Sequence, residues 1–61
     1  MQVGDLIYDD HYGQGIIIKI DEADERRFAT HDYTINFTEV GKVGVLDSHM
    51  IQFVEVLSAS R

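Results

Sequence analysis

The chain contains no cysteine and no proline, and only five basic residues stand against eleven acids. Without a thiol there is no disulfide framework, no cysteine nucleophile and no thiolate-held zinc or iron–sulfur cluster, because each needs the sulfur itself. Long apolar runs are also missing. The triple isoleucine Ile16-Ile17-Ile18 and the pair Val45-Leu46 fall far short of a membrane span, and no basic segment followed by an apolar stretch opens the sequence. The chain therefore reads as soluble and cytosolic, with no membrane partner. Helical periodicity is absent as well: no window sustains apolar residues at three-and-four spacing, while 16 of the 61 residues are Val, Ile or Thr.

What is present is short. At 61 residues and 7.0 kDa the chain makes one domain, and by size scaling such a domain hides only about 60% of the surface its unfolded chain exposes. Burial must then be nearly complete along every element. A partner or a homo-oligomer would relieve the shortage, and a large internal active site would compete for the same core. The formal charge is −6. It is carried by the first 25 residues, where Asp5, Asp9, Asp10, Asp21, Glu22, Asp24 and Glu25 face Lys19 alone; acids and bases balance in the remainder. Such a balance removes the usual electrostatic source of nucleic-acid binding. Arg26 and Arg27 supply a small phosphate term at most, and are read as solvating a loop and pairing with Glu22 or Glu25.

The alternation of apolar and polar residues predicts five strands. The first is Leu6 to Asp9, with Leu6 and Tyr8 on one face and Ile7 and Asp9 on the other. A turn at Asp10-His11-Tyr12-Gly13 leads to a second from Gln14 to Asp21, where Ile16, Ile18 and Ile20 share one face and Ile17 and Lys19 the other. The charged stretch Asp21 to Arg27 reads as a solvated connection. Alternation resumes from Phe28 to Thr38, interrupted at Thr30-His31-Asp32, and Tyr33 and Phe37 are expected to point inward. Val43 and Val45 alternate with glycine before Leu46 in the fourth strand, and Ile51 to Leu57 makes the fifth, with Val54 and Val56 on one face. Residues 1–57 are thus one domain and residues 58–61 a frayed tail. Five short strands without proline, punctuated by turns every 8–12 residues, argue an all-β, five-stranded small barrel, an arrangement that removes exposed sheet edges.

The opening Val3-Gly4-Asp5-Leu6-Ile7-Tyr8-Asp9-Asp10-His11-Tyr12-Gly13-Gln14-Gly15-Ile16-Ile17 resembles that of the SH3-like, Tudor-like barrels. These include the C-terminal domain of UvrD/PcrA-type helicases and the RNA-polymerase-interacting domain of CarD and transcription-repair coupling factor. Tyr33-Thr34-Ile35-Asn36-Phe37, then Gly41-Lys42-Val43, then Leu46, Ile51 and Val54 resemble the later strands, so the likeness covers about residues 2–57. It implies a barrel in which Gly4, Asp5, Tyr12, Gly13, Gly15 and Gly41 are scaffold positions. Gly13 and Gly15 flank one residue where a small barrel bends or lets backbones pass closely. The likeness also implies a non-catalytic interaction module near transcription or DNA-repair machinery, with RNA polymerase or a helicase as partner. The acidic turn departs from the family, which places a neutral or basic sequence there, so nucleic acid is disfavoured and a basic peptide or another protein is favoured.

The residues expected to meet that partner are Tyr8, Asp9, Asp10, His11 and Tyr12. Tyrosine combines a flat apolar face with a hydroxyl, and an acidic groove containing tyrosines suits a basic peptide or a methylated lysine or arginine. Each of the three histidines has an aspartate nearby, in Asp9-Asp10-His11, His31-Asp32 and Asp47-Ser48-His49. Imidazole plus carboxylate is a metal-ligand set if three loops converge, but turns favour Asp and Ser for their own backbone hydrogen bonds, and no metal or other cofactor is assigned. No nucleophile with a supporting base stands out, since Ser48, Ser58 and Ser60 lie in a turn and a tail. The expectation is a chain that is not an enzyme. A structural or assembly subunit acting through homo-oligomerisation is the first alternative and a nucleic-acid-binding barrel the second.

Overall fold

The computed structural model describes residues 1–23 and 29–58. These form five antiparallel strands in one sheet: β1 (Leu6–Asp9), β2 (Gly13–Glu22), β3 (His31–Phe37), β4 (Lys42–Asp47) and β5 (Glu55–Ser58), with a single 3-10 turn at Ile51–Phe53 before β5. Their order across the sheet is β4-β3-β2-β1-β5. The all-β reading is therefore correct and the arrangement is barrel-like, but the sheet is not closed. β4 and β5 each pair with one neighbour and remain edges.

The structure departs from simple alternation in β2 and before β5. In β2, Ile17 pairs with Ile35 but Lys19 pairs with Thr34, so Ile18 is an extra residue with no partner of its own. Such a bulge flips the phase of a strand. Gly13, Gly15 and Ile17 face inward before it and Ile20 after it, whereas Ile18 is displaced outward and exposed. The expected shared face of Ile16, Ile18 and Ile20 is thereby corrected: the fully buried member of the run is Ile17. The expected fifth strand is corrected too. Ile51–Phe53 is a 3-10 turn that drops Ile51 into the core and leaves Phe53 outside, and the strand proper begins at Glu55. It runs through Ser58, one residue into the expected tail, and residues 59–61 lie outside the described residues. So do Asp24, Glu25, Arg26, Arg27 and Phe28, and with them the expected ion pairs of the two arginines. Of the expected charged connection, Asp21 and Glu22 belong instead to β2, and the third strand begins at His31, so His31 and Asp32 extend the ladder against Glu22 and Asp21 where an interruption was expected.

The core is Ile7, Ile17, Ile35, Phe37 and Ile51, with Ile20, Tyr33, Leu46 and Val54 packed around it. Tyr33, Ile35 and Phe37 alternate on the inner side of β3, as period-two geometry requires. The N-terminal segment is tied to this core through Asp5. Its carboxylate accepts the Gln2 N–H at 3.0 Å and its carbonyl accepts the Ile17 N–H at 3.0 Å. Asp5 is 2% exposed, a degree of burial that a carboxylate tolerates only when hydrogen-bonded.

Candidate functional site

The antiparallel order places the β1–β2 and β3–β4 turns at the same end of the sheet. The first of these turns is built by Asp9. Its Oδ2 accepts the N–H of His11 at 2.9 Å and of Tyr12 at 3.1 Å, an Asx-type turn that fixes the loop from its own first residue. Gly13 follows with φ 79°, a left-handed conformation open to glycine, and a Cβ there would strike the Glu39 side chain of the opposite turn. The chain is thus steered so that Tyr12 lies over β3.

Tyr12 packs against Phe37 with ring centroids 5.0 Å apart and planes inclined by 38°. Phe37 itself is 2% exposed, while Tyr12 is 47% exposed and offers a free face. The seat for Phe37 is made by two glycines on the flanking strands. A Cβ on Gly15 of β2 would come within 2.6 Å of the Ile35 Cγ2 and 3.0 Å of the Phe37 ring, and one on Gly44 of β4 within 3.1 Å of the same ring. Between Tyr12, Phe37 and the β4 residues Lys42 to Leu46 lies an open groove of about 240 Å³. Asp9 at the end of β1 and Asp10 and Glu39 in the turns stand at the same end of the sheet as Tyr12, and Lys42 stands on the groove's floor strand.

Of the five residues expected to bind a partner, Tyr12 lines this groove. His11 is exposed and meets the Tyr12 ring edge-on at 6.4 Å. Asp10 is exposed on the turn, and Asp9 is engaged in building it. Tyr8 stands apart, exposed on the outer side of β1, where its register partners are Gln14 and Glu55. Phe37, Lys42, Val43, Gly44, Val45 and Leu46 belong to the groove without having been singled out for it. The signal was the Val43-Gly44-Val45 alternation, in which a glycine on an inward position leaves a hole beside an aromatic ring.

The histidines do not converge. His11 lies in the β1–β2 turn, whereas His31 at the start of β3 and His49 after β4 lie at the opposite end of the sheet. Among the described residues no three His, Asp or Glu side chains are grouped to hold a metal ion. The aspartates beside two of these histidines have a local function instead. Asp47 Oδ1 accepts the N–H of His49 at 3.0 Å and of Met50 at 2.8 Å, repeating what Asp9 does for His11 and Tyr12. Ser48 accepts the Thr30 N–H at 2.8 Å and so fastens this turn to the start of β3.

No family model, curated protein or solved structure matches the chain.

Proposed function

We propose that the protein is a non-catalytic protein-interaction module that takes an extended, basic segment of another protein in the groove between Tyr12 and β4. The observation that carries this reading is the Tyr12–Phe37 pair. A half-exposed tyrosine is held in place by a buried ring beneath it, at the mouth of a groove whose floor is an edge strand. An aromatic platform held rigidly costs little ordering entropy when it binds, and its open face accepts an apolar or cationic side chain. The acids of the adjoining turns favour a positively charged ligand and disfavour phosphate.

The SH3-like, Tudor-like resemblance supports the same class of function, and with it an RNA polymerase or helicase partner. The open seam at β4 supports peptide recognition, which in small barrels uses aromatic grooves between loops. Selection from a displayed library of random dodecapeptides against the wild-type domain and its Tyr12→Ala variant tests the reading. Basic sequences that bind the wild type and not the variant are expected. A selection that enriches nothing, or only sequences that bind both proteins equally, contradicts it.

A further inference from the structure

We infer that β4 is a self-pairing edge, and that two copies of this chain associate about a twofold axis by aligning their β4 strands antiparallel, with Val43 opposite the partner's Val45. The inference rests on the backbone edge of β4 and not on the Tyr12 ring, because the added strand lies in the plane of the sheet rather than over Tyr12; the second copy would take the same open seam that borders the groove.

Hydrogen-bond parity defines which groups are available. Ser48 N–H donates to the His31 carbonyl at 2.7 Å, and β3 and β4 stay in one register from Asp32 opposite Asp47 to Phe37 opposite Lys42. In an antiparallel ladder, mutually bonded pairs alternate with non-bonded ones. Lys42, Gly44 and Leu46 therefore spend their backbone groups on β3, while those of Val43 and Val45 point away from the sheet. Their side chains lie on the outer face and are 62% and 61% exposed. Natural edges are blunted by proline, bulges or charges set within the strand. β4 has none of these between its terminal Lys42 and Asp47. The other edge, β5, is four residues long, starts with Glu55 and carries a register shift against β1.

The occupant follows from the sequence of the strand. Lys42-Val43-Gly44-Val45-Leu46-Asp47 is neutral within a chain of charge −6. Antiparallel pairing sets the Lys42 end of one copy toward the Asp47 end of the other, so the association keeps like-charged ends apart. Only registers that match outward-facing residues with outward-facing residues can form the ladder. One of them opposes Val43 to the partner's Asp47 and buries a valine against a carboxylate. The register that opposes Val43 to Val45 forms two valine pairs and sets Gly44 against Gly44 at the axis. Cross-strand pairs of β-branched residues are the favourable ones, and a twofold interface of this kind is satisfied by a single self-complementary patch. The two Tyr12 grooves then abut across the axis, Lys42 of one lying opposite Leu46 of the other.

The test is light scattering of the wild-type chain over about 10 µM to 1 mM, the range in which a small interface becomes populated. The mass is expected to climb from 7.0 kDa toward twice that value. Val45→Lys, a change on an exposed side chain that leaves the core untouched, is expected to weaken association by about tenfold or more with an unchanged circular dichroism spectrum. In a sample mixed from carbon-13-labelled and unlabelled chains, isotope-filtered NOEs are expected between Val43 and Val45 methyls. A 7.0 kDa species at every concentration overturns the inference. So does a dimer indifferent to Val45→Lys, or intermolecular NOEs that bypass β4.

Discussion

The ring of Tyr12 lies 5.0 Å from that of Phe37, so a residue of the first turn covers the end of the core rather than standing free in solvent. This contact joins the β1–β2 turn to β3 and couples any ligand on Tyr12 to the packing of the domain. Tyr12→Ala is expected to cost about 1 kcal/mol of stability, the usual worth of an aromatic pair, and Tyr12→Phe close to nothing. Urea denaturation of both variants followed by circular dichroism checks this. Equal losses for the two would show that the hydroxyl, not the ring contact, matters.

Gly15 gives a second expectation. Alanine there meets the Ile35 Cγ2 at 2.6 Å, and both neighbours, Ile35 and Phe37, belong to the buried core. Overpacking of this kind costs about 1–3 kcal/mol. Gly44→Ala, whose nearest contact is 3.1 Å, is expected to cost less. Thermal melts of the two variants decide the order, and a more damaging Gly44→Ala would contradict the geometry of the Phe37 seat.

The bulge in β2 separates two adjacent isoleucines that the sequence does not distinguish. Ile17 is fully buried and Ile18 is 46% exposed. Ile17→Ala is expected to destabilise by about 2–5 kcal/mol, enough to unfold much of so small a domain, and Ile18→Ala by less than about 1 kcal/mol. Comparable losses at both positions would place the phase change elsewhere.

Asp9 and Asp47 hold their turns with the same pair of hydrogen bonds, from the amides two and three residues on. Replacement by Asn keeps an oxygen acceptor and is expected to be mild, whereas Ala at either site is expected to cost about 1 kcal/mol, as for a lost cap. Titration of the native domain with zinc alone is expected to leave the His11, His31 and His49 resonances in place. A stoichiometric shift of His11 together with His49 would contradict the turn-only account of their aspartates.

Much of the fold was legible because period-two alternation carries it: Leu6 to Asp9 coincides with β1, and the inward positions of Tyr33 and Phe37 follow from their spacing. Alternation assumes an uninterrupted ladder, and it failed where the ladder does. The Ile18 bulge is set by tertiary pairing with β3, and the 3-10 turn at Ile51–Phe53 by the need to carry the chain from one edge of the sheet to the other. The site was half legible for a similar reason. Tyr12 could be found from its aromatic character beside an acidic turn, but the β4 wall of its groove joins residues some thirty positions away in sequence. Tyr8, of the same chemical type, lies on the outer side of β1, and composition alone does not separate the two.

The central claim is that the Tyr12–β4 groove is the ligand surface, and amide chemical-shift mapping tests it most directly. With a nitrogen-15-labelled domain titrated with a basic peptide recovered from the dodecapeptide library, the account predicts shifts concentrated at Tyr12, Phe37 and Lys42 to Leu46 that are abolished in Tyr12→Ala. Shifts confined to Tyr8, Phe53 and β5, with the groove silent, would contradict it.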